Sequence, residues 1–189
     1  MAMDAAQAPV TQLLARARAG DAHALDAAYA AIYQELKRTA HHYLRRERGP
    51  LETTALVHEA YLKLGGGALE VNDRRHLLAL SARAMRQVLV DDARARKSEK
   101  RGGGQDAVPL TLAHERLASD LPDAIDVLQV DETIESLQKI DMRMAKVLEL
   151  RCFGGYEVSE ISELLDVPDY TVRRDLRKAR ALLLAEAQP

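Results

Sequence analysis

The sequence predicts an all-α protein, and three observations carry that reading. Alanine, leucine and arginine dominate, valine and isoleucine are sparse, and aromatic residues make up only 4% of the chain. The first kind loses little side-chain freedom in a helix, whereas strands favour β-branched and aromatic residues. Apolar residues recur at three- and four-residue spacing over most of the 189 positions, the period of a helix with one buried face. Glycine- and proline-bearing breaks separate these stretches. The 47% hydrophobic and 30% charged shares fit a soluble globular protein, and the length allows one or two domains with real cores.

A first helix is expected near Thr11–Ala19, stopping at Gly20. A second starts at Asp21 or Ala22 and runs to about Arg46, with Leu25, Tyr29, Ile32, Leu36 and Tyr43 inward. Gly49 and Pro50 break it. A third follows Thr53 or Thr54, with Leu56, Val57, Ala60, Tyr61 and Leu64 apolar, and the glycine triplet 65–67 ends it. Asn72 or Asp73 can cap the fourth. That long helix places Leu77, Ser81, Ala84 and Val88 inside, with Arg75, Arg83, Arg86 and Arg94 mostly outside. Residues 101–128 read as a flexible linker, with a glycine triplet, Pro109, Pro122 and many acids. Strict helical patterning then resumes: Ile134, Leu137 and Ile140, then Met144, Val147, Leu148 and Phe153, a break at Gly154 and Gly155, and two further helices. The expected architecture is a four-helix domain at 1–100, a tether at 101–128 and a smaller four-helix domain at 129–189.

Net charge is only −2, yet charge is strongly segregated. Residues 74–101 hold nine Lys/Arg against three Asp/Glu, 115–141 hold two against eight, and 169–180 hold five against two. Two basic blocks flanking an acidic one suggest a polyanionic partner. The last block lies in a pattern that fits a helix-turn-helix. Val158, Ile161 and Leu165 form one apolar stripe, Asp166–Pro168 the turn, and Val172, Leu176, Ala179 and Leu183 a second stripe. Ser162 is small enough for a close helix crossing, and Val167 can plug the turn. The second helix of such a pair enters the DNA major groove, and here its outer face carries Asp169, Tyr170, Arg173, Arg174, Arg177 and Lys178. Arginine can pair bidentately with guanine, while further cations neutralise phosphates. The competing reading is an ordinary helical hairpin with a solvated basic face. Asp166 stands where Gly is usual, and Pro168 stands where a Ser or Thr cap is usual.

Other chemistry is set aside. HEAYL at 58–62 lacks the second His of a zinc-protease motif, with Leu62 in its place. The adjacent His41 and His42 point to different helix faces, and the glycine triplets lack the Lys-Ser/Thr of a phosphate-binding loop. Cys152 is alone, so it forms no internal disulfide and fits a reducing compartment. No signal peptide and no membrane span is read. Neither a catalytic set, a metal site nor a cofactor is expected.

Three stretches together, TALVHEAYLKL, RRHLLALSARAMRQVLVDDARARK and LELRCFGGYEVSEISELLDVPDYTVRRDLRKARALL, resemble bacterial sigma-70 family RNA polymerase sigma factors of the extracytoplasmic-function (ECF) type, in an ECF-like subgroup with the TALVHEAY motif. They correspond to regions 2.1–2.2, 2.3–2.4 and 4, and the likeness covers nearly the whole chain. The resemblance implies a cytoplasmic, non-enzymatic, dissociable subunit of core RNA polymerase. Its region 2 bundle melts and reads the promoter −10 element, and its region 4 helix-turn-helix reads the −35 element. On this mapping −35 recognition falls on Tyr170, Thr171, Arg173, Arg174, Arg177 and Lys178. The −10 work falls on the Gly65–Asn72 loop, on Asn72 itself and on Arg75, His76, Arg83, Arg86, Gln87 and Arg94. The polymerase grip falls on Glu52, Leu56, Val57, Glu59, Leu62 and Lys63.

Two departures from the family pattern stand out. Residues 65–101 contain no Phe, Tyr or Trp, so a −10 pocket has to be built from backbone and polar groups, with modest melting power. Only Glu52 precedes the third helix where the family has several acids; Thr53, Thr54 and Ala55 follow it. Phosphorylation of Thr54, or secondarily Thr53, restores negative charge at a helix N-terminus; the simpler alternative is that both threonines cap the helix. Control is left open among an anti-sigma factor, a Ser/Thr kinase and expression alone. The rivals are a dimeric helix-turn-helix regulator of duplex DNA, which gives the basic helix at 74–101 no role, and a degenerate sigma factor that binds polymerase or an anti-sigma partner without opening DNA.

Overall fold

The computed structural model describes residues 4–21, 23–44, 52–65, 71–99, 109–110 and 125–186. The expected breaks at Gly49–Pro50 and Gly65–Gly67, the inward side chain of Tyr43, and most of the expected linker lie outside the described residues or side chains. The fold is all-α, with eight helices among the described residues: α1 (Asp4–Arg18), α2 (Ala24–Leu44), α3 (Thr53–Gly65), α4 (Arg74–Glu99), α5 (Val127–Ile140), α6 (Met142–Phe153), α7 (Val158–Leu165) and α8 (Asp169–Glu186). The described part of the expected linker adds one feature that periodicity did not suggest. Pro109–Leu110 pairs antiparallel with Ile125–Asp126, directly before α5.

Local chemistry explains the boundaries. Asp73 accepts the His76 N–H at 2.8 Å and so caps α4. Asp126 does the same for α5 through the Leu128 N–H. Asp141 ends α5, its N–H reaching Leu137 O, while its carboxylate accepts the N–H groups of Arg143 and Met144 to start α6. At α7 the Glu160 side chain returns to the Glu157 N–H at 2.7 Å, a capping box built from two glutamates. The Gly154–Gly155 break is obligatory: a Cβ on Gly154 would lie 2.4 Å from the Tyr156 ring, and Gly155 sits at φ +66°.

Helix α3 packs on α2 and α4, and α1 on α2; α5 and α6 pack on each other and on α8, and α7 lies on α8. These two groups do not stay apart, because α4 packs on α5 and α6 as well as on α1 and α3. One continuous apolar core therefore runs from Val10 to Leu183. Its mark on the sequence is in α4. Besides the expected Leu77, Ser81, Ala84 and Val88, the residues Leu78, Ala82, Arg86, Leu89, Val90 and Ala93 are buried. That is more than one face of a helix can hide, so α4 is covered on two sides. Ile140, expected on an apolar stripe, is 75% exposed because α5 ends there.

Candidate nucleic-acid interface

The C-terminal helix pair has the form its sequence suggests. Asp166 takes the left-handed conformation (φ 54°) that Gly usually fills, a conformation Asp tolerates better than most residues. The turn is closed twice: Val167 N–H donates to Ser162 O at 3.1 Å, and Ser162 Oγ donates to Val167 O at 2.6 Å. Ser162 thus holds the turn as well as being small. Val172, Leu176, Ala179 and Leu183 seat α8 in the core. Tyr170, Arg173, Arg174, Arg177 and Lys178 are exposed on its outer face. Thr171 differs: it is 7% exposed and turned inward, so it shapes the start of α8 and presents no surface to a ligand.

Asp175 is the residue that sequence reasoning missed here. It is 1% exposed and accepts from Arg143 Nε at 2.8 Å and from Arg174 Nε and Nη2 at 3.3 Å. The Asp175 hydrogen bond holds the Arg143 guanidinium even more firmly protonated than usual. Arg143, from the first turn of α6, is thereby tied to the basic face of α8. The signal available in sequence was an acid at a position where the α8 stripe runs inward.

The basic face of α4 is organised differently. Arg75 and His76 are half-buried, and Arg83, Gln87 and Arg94 are exposed. Asn72 is exposed, accepts from Arg18 Nη1 at 3.4 Å, and donates its N–H to His76 Nδ1 at 3.3 Å. Arg86, expected outside, is only 7% exposed. Its Nε donates to Asp131 Oδ1 at 2.7 Å and its Nη1 to Glu149 Oε1 at 3.0 Å. Arg94 Nη2 reaches the other oxygen of Asp131 at 3.1 Å. The physical reason is charge: the buried Asp131 on α5 and the half-buried Glu149 on α6 need a counter-charge, and Arg86 supplies it. Residues 66–70 of the loop expected to cup a base lie outside the described residues.

Glu52, directly before α3, and Glu59, Leu62 and Lys63 on it are exposed, with Lys63 paired to Asp91 at 2.9 Å. Leu56 and Val57, expected in the polymerase grip, are fully buried. They anchor α3 to α2 and α4 because the apolar stripe of this helix faces the core. Tyr29 Oη donates to Val57 O at 2.9 Å, and its ring packs on Tyr61 at 4.6 Å. Tyr61 in turn bonds Asp26. Thr54 is exposed at the rim of an apolar groove of about 390 Å³ between α2 and α3, lined also by Tyr29, Tyr33 and Tyr61. Thr53 is the first residue of α3 and is half-buried.

An all-helical chain with a helix-turn-helix and two basic helices is of the kind that engages nucleic acid. The ECF sigma factor family model matches residues 7–188, and the chain belongs to that family. Neither a curated protein nor a solved structure matches. Sigma factors of this family are regulatory factors of promoter-specific transcription initiation, not enzymes, and they work with RNA polymerase and promoter DNA. No helix among the described residues is long and apolar enough to cross a membrane.

Proposed function

We propose that this chain is a cytoplasmic ECF-type sigma factor of the TALVHEAY subgroup. In this reading it binds core RNA polymerase, reads the −35 element with α8 and opens and reads the −10 element with α4. Residues 1–100 form the polymerase-binding and −10 unit, 129–189 the −35 unit, and 101–128 connect them. The observation that carries the reading is α8: its outer face exposes Asp169, Tyr170 and four cations on the helix that follows a closed turn. Such a face suits the major groove, with arginine on guanine edges and the remaining cations on phosphates. Arg143, held beside it by Asp175, adds a further cation for the DNA backbone. Exposed Glu52, Glu59, Leu62 and Lys63 supply the polymerase grip.

The test is co-purification with core polymerase followed by run-off transcription. A sigma factor passes both, a dimeric regulator fails the first, and a factor that binds without melting passes only the first. Control by a Ser/Thr kinase belongs to the same proposal, because Thr54 is exposed one residue into α3. A phosphate there adds about −1.5 to −2 charges at the helix's positive end. Thr54→Ala is expected to lower promoter-driven transcription in cells containing the kinase, and Thr54→Asp to restore part of it. Unchanged transcription for Thr54→Ala would remove this control from the proposal.

A further inference from the structure

The basic face of α8 is not uniform, and an acid buried beneath it divides it. We propose that Asp175 is a positioning residue: it holds Arg143 and Arg174 as a clamp on the phosphate backbone at the −35 element and leaves Arg173 and Arg177 to read the bases. This rests on the assignment of α8 to the −35 element.

Aspartate is out of place here on two counts. It is a weak helix former, and Asp175 lies in the interior of α8, where it caps no helix end. A carboxylate beside a polyanion is also repelled by it. Yet the Asp175 side chain is 1% exposed, and a charge so buried needs a partner. It has two. Arg143 Nε donates to one carboxylate oxygen at 2.8 Å, and Arg174 Nε and Nη2 both reach the other at 3.3 Å. One guanidinium balances one carboxylate, so the trio carries a surplus positive charge. Both arginine side chains keep water, at 41% and 44% exposed, and the surplus therefore sits at the surface. Asp141 does not cancel it. Its carboxylate caps α6, and it stands 3.6 Å from Arg143 Nη2, too long for a hydrogen bond.

The α8 cations fall into two rows at four-residue spacing. Arg173 and Arg177 follow Asp169 in one row, and Arg174 and Lys178 follow Tyr170 in the other. Among the described residues no acid holds Arg173 or Arg177, so each can present a whole guanidinium fork to guanine. Arg174 has its Nε–Nη2 edge committed to Asp175. Arg143 comes from α6, beside α8 rather than on it. A cation flanking a helix seated in the major groove meets the sugar-phosphate strand, which positions the protein and carries no sequence information. A side chain already held in place loses less freedom on binding than a free one.

The experiment starts with duplexes randomised across the promoter region, selected with core polymerase carrying the native full-length chain. The −35 segment recovered and a scrambled copy of it are then titrated, as fluorescein-labelled duplexes, with the full-length chain at a series of salt concentrations. Arg143→Ala and Arg174→Ala are each expected to weaken both duplexes alike and to reduce the slope of log affinity against log salt by about 0.9, with the preference for the recovered duplex unchanged. Arg173→Ala and Arg177→Ala are each expected to cut that preference by about fivefold or more. Asp175→Asn removes a negative charge beside DNA, so bare electrostatics would tighten binding; the clamp requires weaker binding to both duplexes and a smaller slope. In a chain already carrying Arg143→Ala and Arg174→Ala, Asp175→Asn is expected to add less than about a twofold change, whereas a general loosening of α8 would weaken that chain further. Should Asp175→Asn fail to fold, Arg174→Lys keeps the charge but loses the fork to Asp175; it is expected to weaken both duplexes, where a role of charge alone would leave them unchanged. Tighter binding by Asp175→Asn, or a preference that falls in Arg143→Ala or Arg174→Ala, overturns the clamp while the −35 assignment stands. If no −35 segment is recovered, or if Arg173→Ala and Arg177→Ala leave the preference intact, the assignment fails and takes the clamp with it.

Discussion

Helices α4 and α8 carry similar basic sequence and end in opposite circumstances. On α8 the cations Arg173, Arg174, Arg177 and Lys178 face solvent, while the apolar stripe is buried together with Thr171 and Asp175. On α4 a second face is buried as well, and Arg86 goes with it into a bridge to Asp131 and Glu149. Amphipathic patterning tells which residues a helix wants to hide. It does not tell whether a distant acidic segment of the same chain will also claim the polar face.

The sharpest way to break this contrast is stability. Arg86→Ala leaves the buried Asp131 and the half-buried Glu149 without their shared partner and is expected to cost about 3–5 kcal/mol, read from urea unfolding. Arg177→Ala on the open helix is expected to stay within about 0.5 kcal/mol of the native chain. Equal costs would mean that Arg86 is as solvated as its counterpart on α8.

Affinity should show the reverse order. Replacing Arg173 or Arg177 with Ala is expected to weaken binding of a −35 duplex by about 1–3 kcal/mol per lost base pairing, measured by fluorescence anisotropy. Arg86→Ala in the free chain is expected to leave that duplex affinity unchanged, since Arg86 faces α5 and α6.

A smaller effect is expected at the foot of α8. Asp175→Asn leaves Arg143 and Arg174 with a weaker acceptor; both arginines are partly exposed and keep water, so the cost is about 1 kcal/mol. The salt slope of duplex binding would shift only if one of them then lost a phosphate contact.

The smallest effect is chemical. Burial pushes the Cys152 thiol up to about 12, so at pH 8 it is protonated as well as covered. A thiol reagent is expected to modify the native chain far more slowly than the urea-unfolded chain. Because the unfolded chain's thiol ionises near 9 while the folded one stays protonated up to about 12, the folded state is expected to lose stability as pH rises from about 9 towards 12, and none further from this group above that.

Much of this was legible in sequence. The helical periodicity, the break at Gly154–Gly155, the turn at Asp166–Pro168 and the inward stripe of α8 are all local, and the structure has them in place. What was not legible is long-range. Arg86 and Asp131 lie 45 residues apart, and nothing in either neighbourhood marks the other as its partner. The family motif spans Leu56 and Val57 and so points to a surface grip, yet their stripe faces the core. The motif alone puts Thr171 among the DNA-facing residues, yet the helix turns it inside. The charge segregation was a real hint: the acidic stretch holding Asp131 does meet a basic helix, through side chains buried deeply enough that cellular salt screens them little.

The most direct measurement is the distance between spin labels at Gln34→Cys on α2 and Ala181→Cys on α8, both exposed positions, with Cys152 protected by burial. The free chain is expected to give one short, narrow distribution, and addition of core RNA polymerase a longer one. An identical distribution with and without polymerase, under conditions where the complex forms, would contradict a sigma factor whose two helical groups read two spaced promoter elements.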